Sequence, residues 1–96
     1  MLEMRPSCEH CDKALGNESE EAMICTFECT FCQDCVHTIL HNVCPNCGGG
    51  FEKRPTRPVA YLKKYPVSTK KVYKPVQEHL FKVLLKKFKN TNPRKR

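Results

Sequence analysis

The chain has 96 residues, 40% of them hydrophobic and 28% charged, with a formal net charge of +7. A folded unit within such a chain is small, and domains below about 70–80 residues usually need a disulfide, a metal or another staple. No stretch reaches the roughly 20 apolar residues of a membrane-spanning helix, and residues 1–24 lack a signal-peptide pattern. We therefore expect a small cytoplasmic protein whose fold depends on a staple.

The charge is divided sharply along the chain. Residues 1–50 carry two basic and eight acidic side chains, whereas residues 51–96 carry fifteen basic and two acidic ones. Such asymmetry predicts an acidic folded head followed by a basic C-terminal segment. It fits either mutual attraction of the two parts or separate partners for each.

All eight cysteines lie in the head, with the spacing C-x2-C-x13-C-x3-C-x2-C-x2-C-x8-C-x2-C. They are Cys8, Cys11, Cys25, Cys29, Cys32, Cys35, Cys44 and Cys47. In a reducing compartment, paired cysteines bind metal more often than they form disulfides. Eight thiolates suit two tetrahedral Zn²⁺ ions, and four cysteines around each ion leave no open position for catalysis. We expect two structural zinc ions and no enzymatic activity.

The elements of the head follow in chain order. Residues 12–22 contain Gly, Asn, Glu and Ser and predict an exposed loop. Residues 22–25 and 29–32 are short β-prone pieces that predict a hairpin. From residue 33 to residue 43, apolar side chains at i, i+3, i+4 and i+7 predict one helix of two to three turns. The glycines at 48–50 end this predicted domain, which spans residues 1–50.

The C-terminal half has a different composition. Residues 51–58 form a Pro- and Arg-rich linker that we expect to be extended. Residues 59–96 form a basic tail, in which residues 59–74 show no clear periodicity. Residues 75–89 predict an amphipathic helix with the apolar positions Val76, Leu80, Val83, Leu84 and Phe88. Because this apolar face is wide, the helix should pack on the head, on a partner helix or on a membrane surface.

The cysteine pattern resembles the core of a RING finger. The residues that carry the resemblance are Ile24-Cys25, Cys29-Thr30-Phe31-Cys32, Cys35 and, after the predicted helix, Cys44-Pro45-Asn46-Cys47. The family often has His as its fourth ligand, with Phe two residues later and Cys three residues later. Cys29, Phe31 and Cys32 match this frame, with Cys in place of His.

Spacing alone leaves open whether neighbouring pairs share one ion or alternate. The RING resemblance implies the alternating, crossed arrangement and a treble-clef-like binuclear zinc fold of small α+β class. Its first site would contain Cys8, Cys11, Cys32 and Cys35. Its second site would contain Cys25, Cys29, Cys44 and Cys47. Since eight cysteines already fill two sites, we expect His10, His37 and His41 to lie on the surface or beside the ligands and not to bind metal.

Residues 1–58 are also similar to a family of short bacterial cysteine-rich proteins known only as a domain of unknown function. The similarity lies in the opening M-L-E-M-R-P-S-C-E-H-C-D-K, the centre F-E-C-T-F-C-Q-D-C and the exit R-P-T-R-P. It implies no activity, and it leaves residues 59–96 uncovered.

These features favour a non-enzymatic zinc module that binds a protein partner, with no small-molecule substrate. One alternative is nucleic-acid binding through the Lys and Arg residues of 53–96 and their three interleaved tyrosines. RING-like ligase activity is less favoured, because Glu9 and Gly48 stand where family ligases use an apolar and a cationic residue. An iron–sulfur carrier is disfavoured because the last cysteine gap is x8, where the ferredoxin pattern has x3.

Overall fold

A three-stranded antiparallel sheet lies at the centre of the head in the computed structural model, which describes residues 1–96. Its strands are β1 (Ala22–Ile24), β2 (Thr30–Cys32) and β3 (Glu52–Lys53), in the order β2-β1-β3. The helices are α1 (Gln33–Thr38) and α2 (Glu78–Phe88), and 3-10 turns lie at Val59–Tyr61 and Pro93–Lys95. The fold is a small α+β fold, as expected from the sequence.

The predicted hairpin is present. β1 pairs with β2 so that Ala22 faces Cys32 and Ile24 faces Thr30. The connecting turn uses a left-handed backbone at Glu28, with φ of 64°. β3 adds to the other edge of β1, although the sequence predicted only an extended linker there.

Helix α1 is shorter than the predicted helix of residues 33–43. It ends at Thr38, after which the backbone N–H groups of Ile39 and Leu40 both donate to the Cys35 carbonyl at 3.0 and 2.9 Å. The chain then turns through two residues with positive φ, His41 at 49° and Asn42 at 60°. This turn directs the chain back toward the sheet. Leu40 and Val43 are therefore buried, as the apolar spacing predicted, although they lie beyond the end of the helix.

The core joins the head to the C-terminal segment. The Phe31 and Phe51 rings meet edge to face, with centroids 5.5 Å apart. Around them lie the buried side chains of Leu15, Val36, Leu40 and Val43, together with Phe81 of α2. A single cluster therefore contains residues from both ends of the chain.

Residues 59–76 run along the head toward α2. The Ser68 N–H donates to the Met4 carbonyl at 2.9 Å, and the Lys74 N–H donates to the Glu9 carbonyl at 2.8 Å. These bonds tie the segment to Met4 and Glu9 near the N-terminus. None of the helices has the length and apolar character needed to cross a membrane.

The predicted apolar face of α2 is only partly right. Leu80 and Val83 are 64% and 74% exposed, whereas Phe81, which was not in the predicted face, is 6% exposed. The side that packs on the head consists of Phe81, Leu84, Leu85 and Phe88. These residues also stand at i, i+3, i+4 and i+7, so the sequence contained two overlapping helical faces.

Candidate metal centres

The first cluster contains four thiols from two separate parts of the head. The sulfur atoms of Cys8, Cys11, Cys32 and Cys35 all lie within 4.8 Å of one another. The Sγ atoms of Cys11 and Cys32 are 3.7 Å apart. In a tetrahedral site with Zn–S bonds of about 2.3 Å, sulfur atoms are about 3.8 Å apart. The cluster therefore has the donor set and the spacing that fit a tetrahedral metal ion.

Local backbone geometry positions each half of this cluster. Cys8 and Cys11 lie on a tight turn in which the Cys8 N–H donates to the Lys13 carbonyl at 2.9 Å and Asp12 has φ of 66°. Cys32 ends β2, and Cys35 lies three residues later in the first turn of α1. Because β2 leads directly into α1, the thiols of Cys32 and Cys35 both face the turn that carries Cys8 and Cys11.

The second cluster lies where β1 meets the turn after α1. Cys25, Cys44 and Cys47 have sulfur atoms within 4.8 Å of one another. The turn that carries Cys44 and Cys47 is closed by the Gly48 N–H, which donates to the Cys44 carbonyl at 2.8 Å. The Gly49 N–H donates to the Cys47 Sγ at 3.4 Å, which fixes the position of that side chain in the turn.

Cys29 lies beside this trio as its fourth thiol. Its thiol lies close enough to those of Cys25 and Cys44 to influence their pKa, but its sulfur atom is not within 4.8 Å of all three others. The hairpin turn places it there, because the Cys25 N–H donates to the Cys29 carbonyl at 3.3 Å. The thiols are therefore grouped in the crossed order along the chain, and not as sequential pairs.

The thiols are too close together to ionise fully without a cation. Hydrogen bonds from Cys29 and Cys44 lower the pKa of Cys25 to about 3. The same contacts, from Cys25 and then Cys29, raise the pKa of Cys44. In the first cluster, burial raises the pKa of Cys35 and of Cys32. Since neighbouring thiolates repel one another, a divalent cation would be needed to stabilise four of them together.

The histidines lie outside both clusters. His37 and His41 are exposed on the surface. His10 lies between Cys8 and Cys11, but its Nδ1 atom accepts a hydrogen bond from the Val76 N–H at 3.0 Å. His10 therefore anchors the C-terminal segment to the first cysteine turn.

Two buried charged residues cross-link separate parts of the head, and no sequence pattern indicates either role. Glu9 is 3% exposed; its carboxylate accepts from the Thr30 N–H at 2.7 Å and from Arg5 at 2.8 Å. Burial raises the pKa of Glu9, and these two donors oppose that rise. The contacts fix the first cysteine turn against β2.

Arg54 is the second buried charge, also 3% exposed. Its guanidinium donates to the carbonyls of Arg5, Leu15 and Gly16 at 2.8, 3.0 and 2.8 Å. No carboxylate pairs with it, and burial lowers its pKa. The side chain cross-links the N-terminal segment, the loop before β1 and the residue after β3.

The fold and its two thiol clusters define a small cysteine-rich α+β protein with two candidate metal centres. The chain belongs to the family DUF1272, described as a protein of unknown function, whose model matches residues 1–57. It is 59% identical over 75 residues to an uncharacterised protein of Rhizobium meliloti (strain 1021). That alignment covers 78% of this chain and 89% of the relative. No solved structure matches the chain.

The relative shares more than the cysteine-rich head. The alignment spans 75 residues and the family match spans 57, so at least 18 aligned residues lie beyond residue 57. Part of the C-terminal segment is therefore common to both proteins.

Proposed function

We propose that this chain is a non-enzymatic zinc module in which two Zn²⁺ ions hold an interaction surface in place. One ion would be bound by Cys8, Cys11, Cys32 and Cys35, and the other by Cys25, Cys29, Cys44 and Cys47. The observation that carries the proposal is the grouping of seven cysteines into two clusters, one of four and one of three, within which the sulfur atoms lie no more than 4.8 Å apart. Cys29 lies beside the cluster of three as the candidate fourth ligand.

The chemistry of the donors supports zinc and argues against catalysis. Four thiolates in a tetrahedral arrangement select Zn²⁺ or iron–sulfur clusters among the common metals, and the ferredoxin spacing is absent. A catalytic zinc needs a position for water or substrate, whereas four cysteine ligands complete the coordination. A reducing cytoplasm would keep these thiols available for metal.

The crossed grouping supports a RING-like cross-brace, but the surface argues against ligase activity. Glu9 follows Cys8 and is buried, with its carboxylate already paired with Arg5. Gly48 follows Cys47 and lies beneath α2, so that a Cβ atom added there would be 2.7 Å from the Phe88 ring. The chain's own C-terminal segment thus covers positions that a RING ligase would present to a conjugating enzyme.

Metal analysis of the purified protein tests the proposal. We expect two zinc ions per chain by elemental analysis and native mass spectrometry. The cadmium-substituted protein should give two ¹¹³Cd signals in the range of all-sulfur coordination. Cys11→Ser should shift one signal and Cys47→Ser the other, and His37→Ala, which alters an exposed residue outside both clusters, should shift neither.

Three results would overturn the proposal. They are a stoichiometry other than two, a native iron content, and a single ¹¹³Cd signal that responds to both cysteine variants.

A further inference from the structure

The fifteen basic side chains of residues 51–96 fall into two groups. All four arginines are bonded within the protein: Arg54, Arg57 and Arg96 donate to carbonyls, and Arg94 pairs with Glu52. Two lysines are also used, since Lys71 pairs with Asp12 and Lys74 donates to Asn46. The side chains of the other lysines make no hydrogen bond and no ion pair. These are Lys53, Lys63, Lys64, Lys70, Lys82, Lys86, Lys87, Lys89 and Lys95.

Four of the unpaired lysines are concentrated on α2 and its C-cap. Lys82, Lys86 and Lys89 stand at i, i+4 and i+7, so they lie on one side of the helix, and all three are exposed. At 1.5 Å per residue the row is about 10.5 Å long. Lys87 lies on another side of the helix, about 100° around the axis from Lys86, with its Nζ 5.3 Å from the Phe88 ring centroid. Glu78, in the first turn, is the only acidic residue of the helix.

The other side of α2 limits what this row can bind. A helix binds a bilayer by burying its apolar face, and here that face, with Phe81 at its centre, is already packed on the head. A second copy of the same helix would bring lysines against lysines, and like charges repel. Outside the packed face, α2 presents the lysine row and two exposed apolar side chains, Leu80 and Val83. The row is the larger feature, and it calls for a dense array of negative charge.

We propose that the outer lysine row of α2 binds the phosphodiester backbone of a nucleic acid without reading its sequence. Each strand of a duplex carries one negative charge per about 3.4 Å of axis, so a row of about 10.5 Å spans roughly three phosphates of the strand that it faces. Lysine contacts phosphate as a point charge, whereas bidentate reading of guanine relies mostly on arginine. The row contains no arginine, and three of the four arginines beyond residue 50 donate to carbonyls of the protein, so binding by the row should be independent of sequence.

This inference rests on the proposed function, because the head holds α2 in place only when it is folded around its metals. Zinc content must therefore be measured on the same sample as binding. Absence of zinc would count against the proposed function. Absence of binding by a chain that carries two zinc ions would count against the nucleic-acid proposal.

The test uses the full chain loaded with zinc and fluorescence anisotropy against a duplex DNA and a duplex RNA of random sequence. With three or four phosphates contacted, we expect the logarithm of the association constant to fall against log salt with a slope of about −2.7 to −3.6. The triple variant Lys82→Gln/Lys86→Gln/Lys89→Gln should weaken binding by about tenfold or more at low salt and flatten that slope. Comparison of the two duplexes distinguishes DNA from RNA as the source of the backbone.

A matched control removes the same charge elsewhere. Lys53→Gln/Lys63→Gln/Lys70→Gln changes three exposed, unpaired lysines that lie outside α2 and should reduce binding much less. An equal loss of affinity in the two triple variants would overturn the proposal, because it would show that binding depends on the net charge of the protein and not on the lysine row. A strong preference for one nucleic-acid sequence would also overturn it.

Membrane binding is a separate outcome, because Leu80 and Val83 are exposed beside the row. Vesicles of equal parts phosphatidylglycerol and phosphatidylcholine should bind less tightly than the duplexes. Tighter binding to the vesicles, lost in Leu80→Ala/Val83→Ala, would replace the nucleic-acid proposal with a lipid surface.

Discussion

The cysteine-rich head and the C-terminal segment are held in place by different kinds of interaction. Of the 20 buried residues, Phe81 alone lies beyond residue 54. The head, which extends through β3 to Arg54, has its own sheet, its own core and both thiol clusters. The C-terminal segment has one helix and no core apart from the contact that it makes with the head.

Hydrogen bonds to backbone carbonyls supply much of what holds the C-terminal segment. Arg57 donates to the Leu2 carbonyl at 2.6 Å, and Arg96 donates to the Asn42 carbonyl at 2.7 Å. Such contacts need the head to be folded already, because their partners lie on distant parts of its chain. The C-terminal segment therefore needs the folded head, whereas the head should not need the segment.

The largest effect should come from breaking either thiol cluster. A structural zinc site is worth about 10–16 kcal/mol, which matches or exceeds the whole stability of a small domain. Cys32→Ser, Cys44→Ser or a strong chelator should therefore unfold the head and release α2 with it. Circular dichroism and limited proteolysis would show the loss of both regions together. A head that keeps its native NMR spectrum in chelator would contradict the proposal that metal stabilises this fold.

Phe81→Ala should separate the two regions. Removal of a buried phenylalanine ring costs about 3–5 kcal/mol, and here the ring is the main apolar contact of α2 with the core. We expect fast amide exchange in α2 while the head keeps both metals and its slow amides. Leu80→Ala is the matched control: this residue is 64% exposed, so its loss should cost less than about 0.5 kcal/mol. If Phe81→Ala also releases metal, the head depends on the C-terminal segment as well, which contradicts the one-way dependence.

The parts of the structure that the sequence predicted are local ones. The hairpin was predicted from β-prone residues at the two ends of a short turn, and the loop and the first turn of α1 from neighbouring residues. The crossed order of the thiols needed a family resemblance, because spacing alone allows other pairings. The end of α1 was not predictable, since the apolar period continues through Leu40 and Val43 while the backbone turns at His41 and Asn42.

Long-range contacts account for most of what sequence patterns missed. Glu9 and Arg54 belong to residue types that are usually exposed, and only contacts with distant carbonyl and amide groups explain their burial. The rotation of α2 was ambiguous because two apolar faces overlap on it. The face that packs on the head is the one with two phenylalanines. The spacing of apolar residues alone does not show which of the two faces is buried.

Arg54→Met should destabilise the head by about 2–3 kcal/mol. Methionine is also unbranched, but it makes none of the three hydrogen bonds of the guanidinium. The carbonyls of the buried Leu15 and of Gly16 would therefore lose their hydrogen-bond donor. Urea denaturation of the metal-loaded protein would measure the change in the free energy of unfolding. Lys53→Met, at the neighbouring exposed position, should change it by less than about 0.5 kcal/mol. Equal stability of the two variants would mean that the buried guanidinium is dispensable.

Gly48→Ala should have the smallest effect of the four, about 1–2 kcal/mol, and it acts where the two regions touch. Gly48 has φ of 79°, a left-handed conformation that alanine adopts at a cost. An added Cβ would also lie 2.7 Å from the Phe88 Cε2 atom, so the ring would have to shift. Gly16→Ala is the matched control, because a Cβ there meets nothing within 4 Å.

The two contributions at Gly48 can be separated with Phe88→Ala as a second substitution. Backbone strain belongs to the head and should remain when the ring is absent, whereas the clash should disappear. We therefore expect Gly48→Ala to cost less in the Phe88→Ala background than in the native chain, with a remainder of about 1 kcal/mol from the positive φ. An unchanged cost would place the whole effect in the head. A cost that vanishes would mean that Gly48 is required only by the docked helix, and that contact with α2 shapes the last cysteine turn.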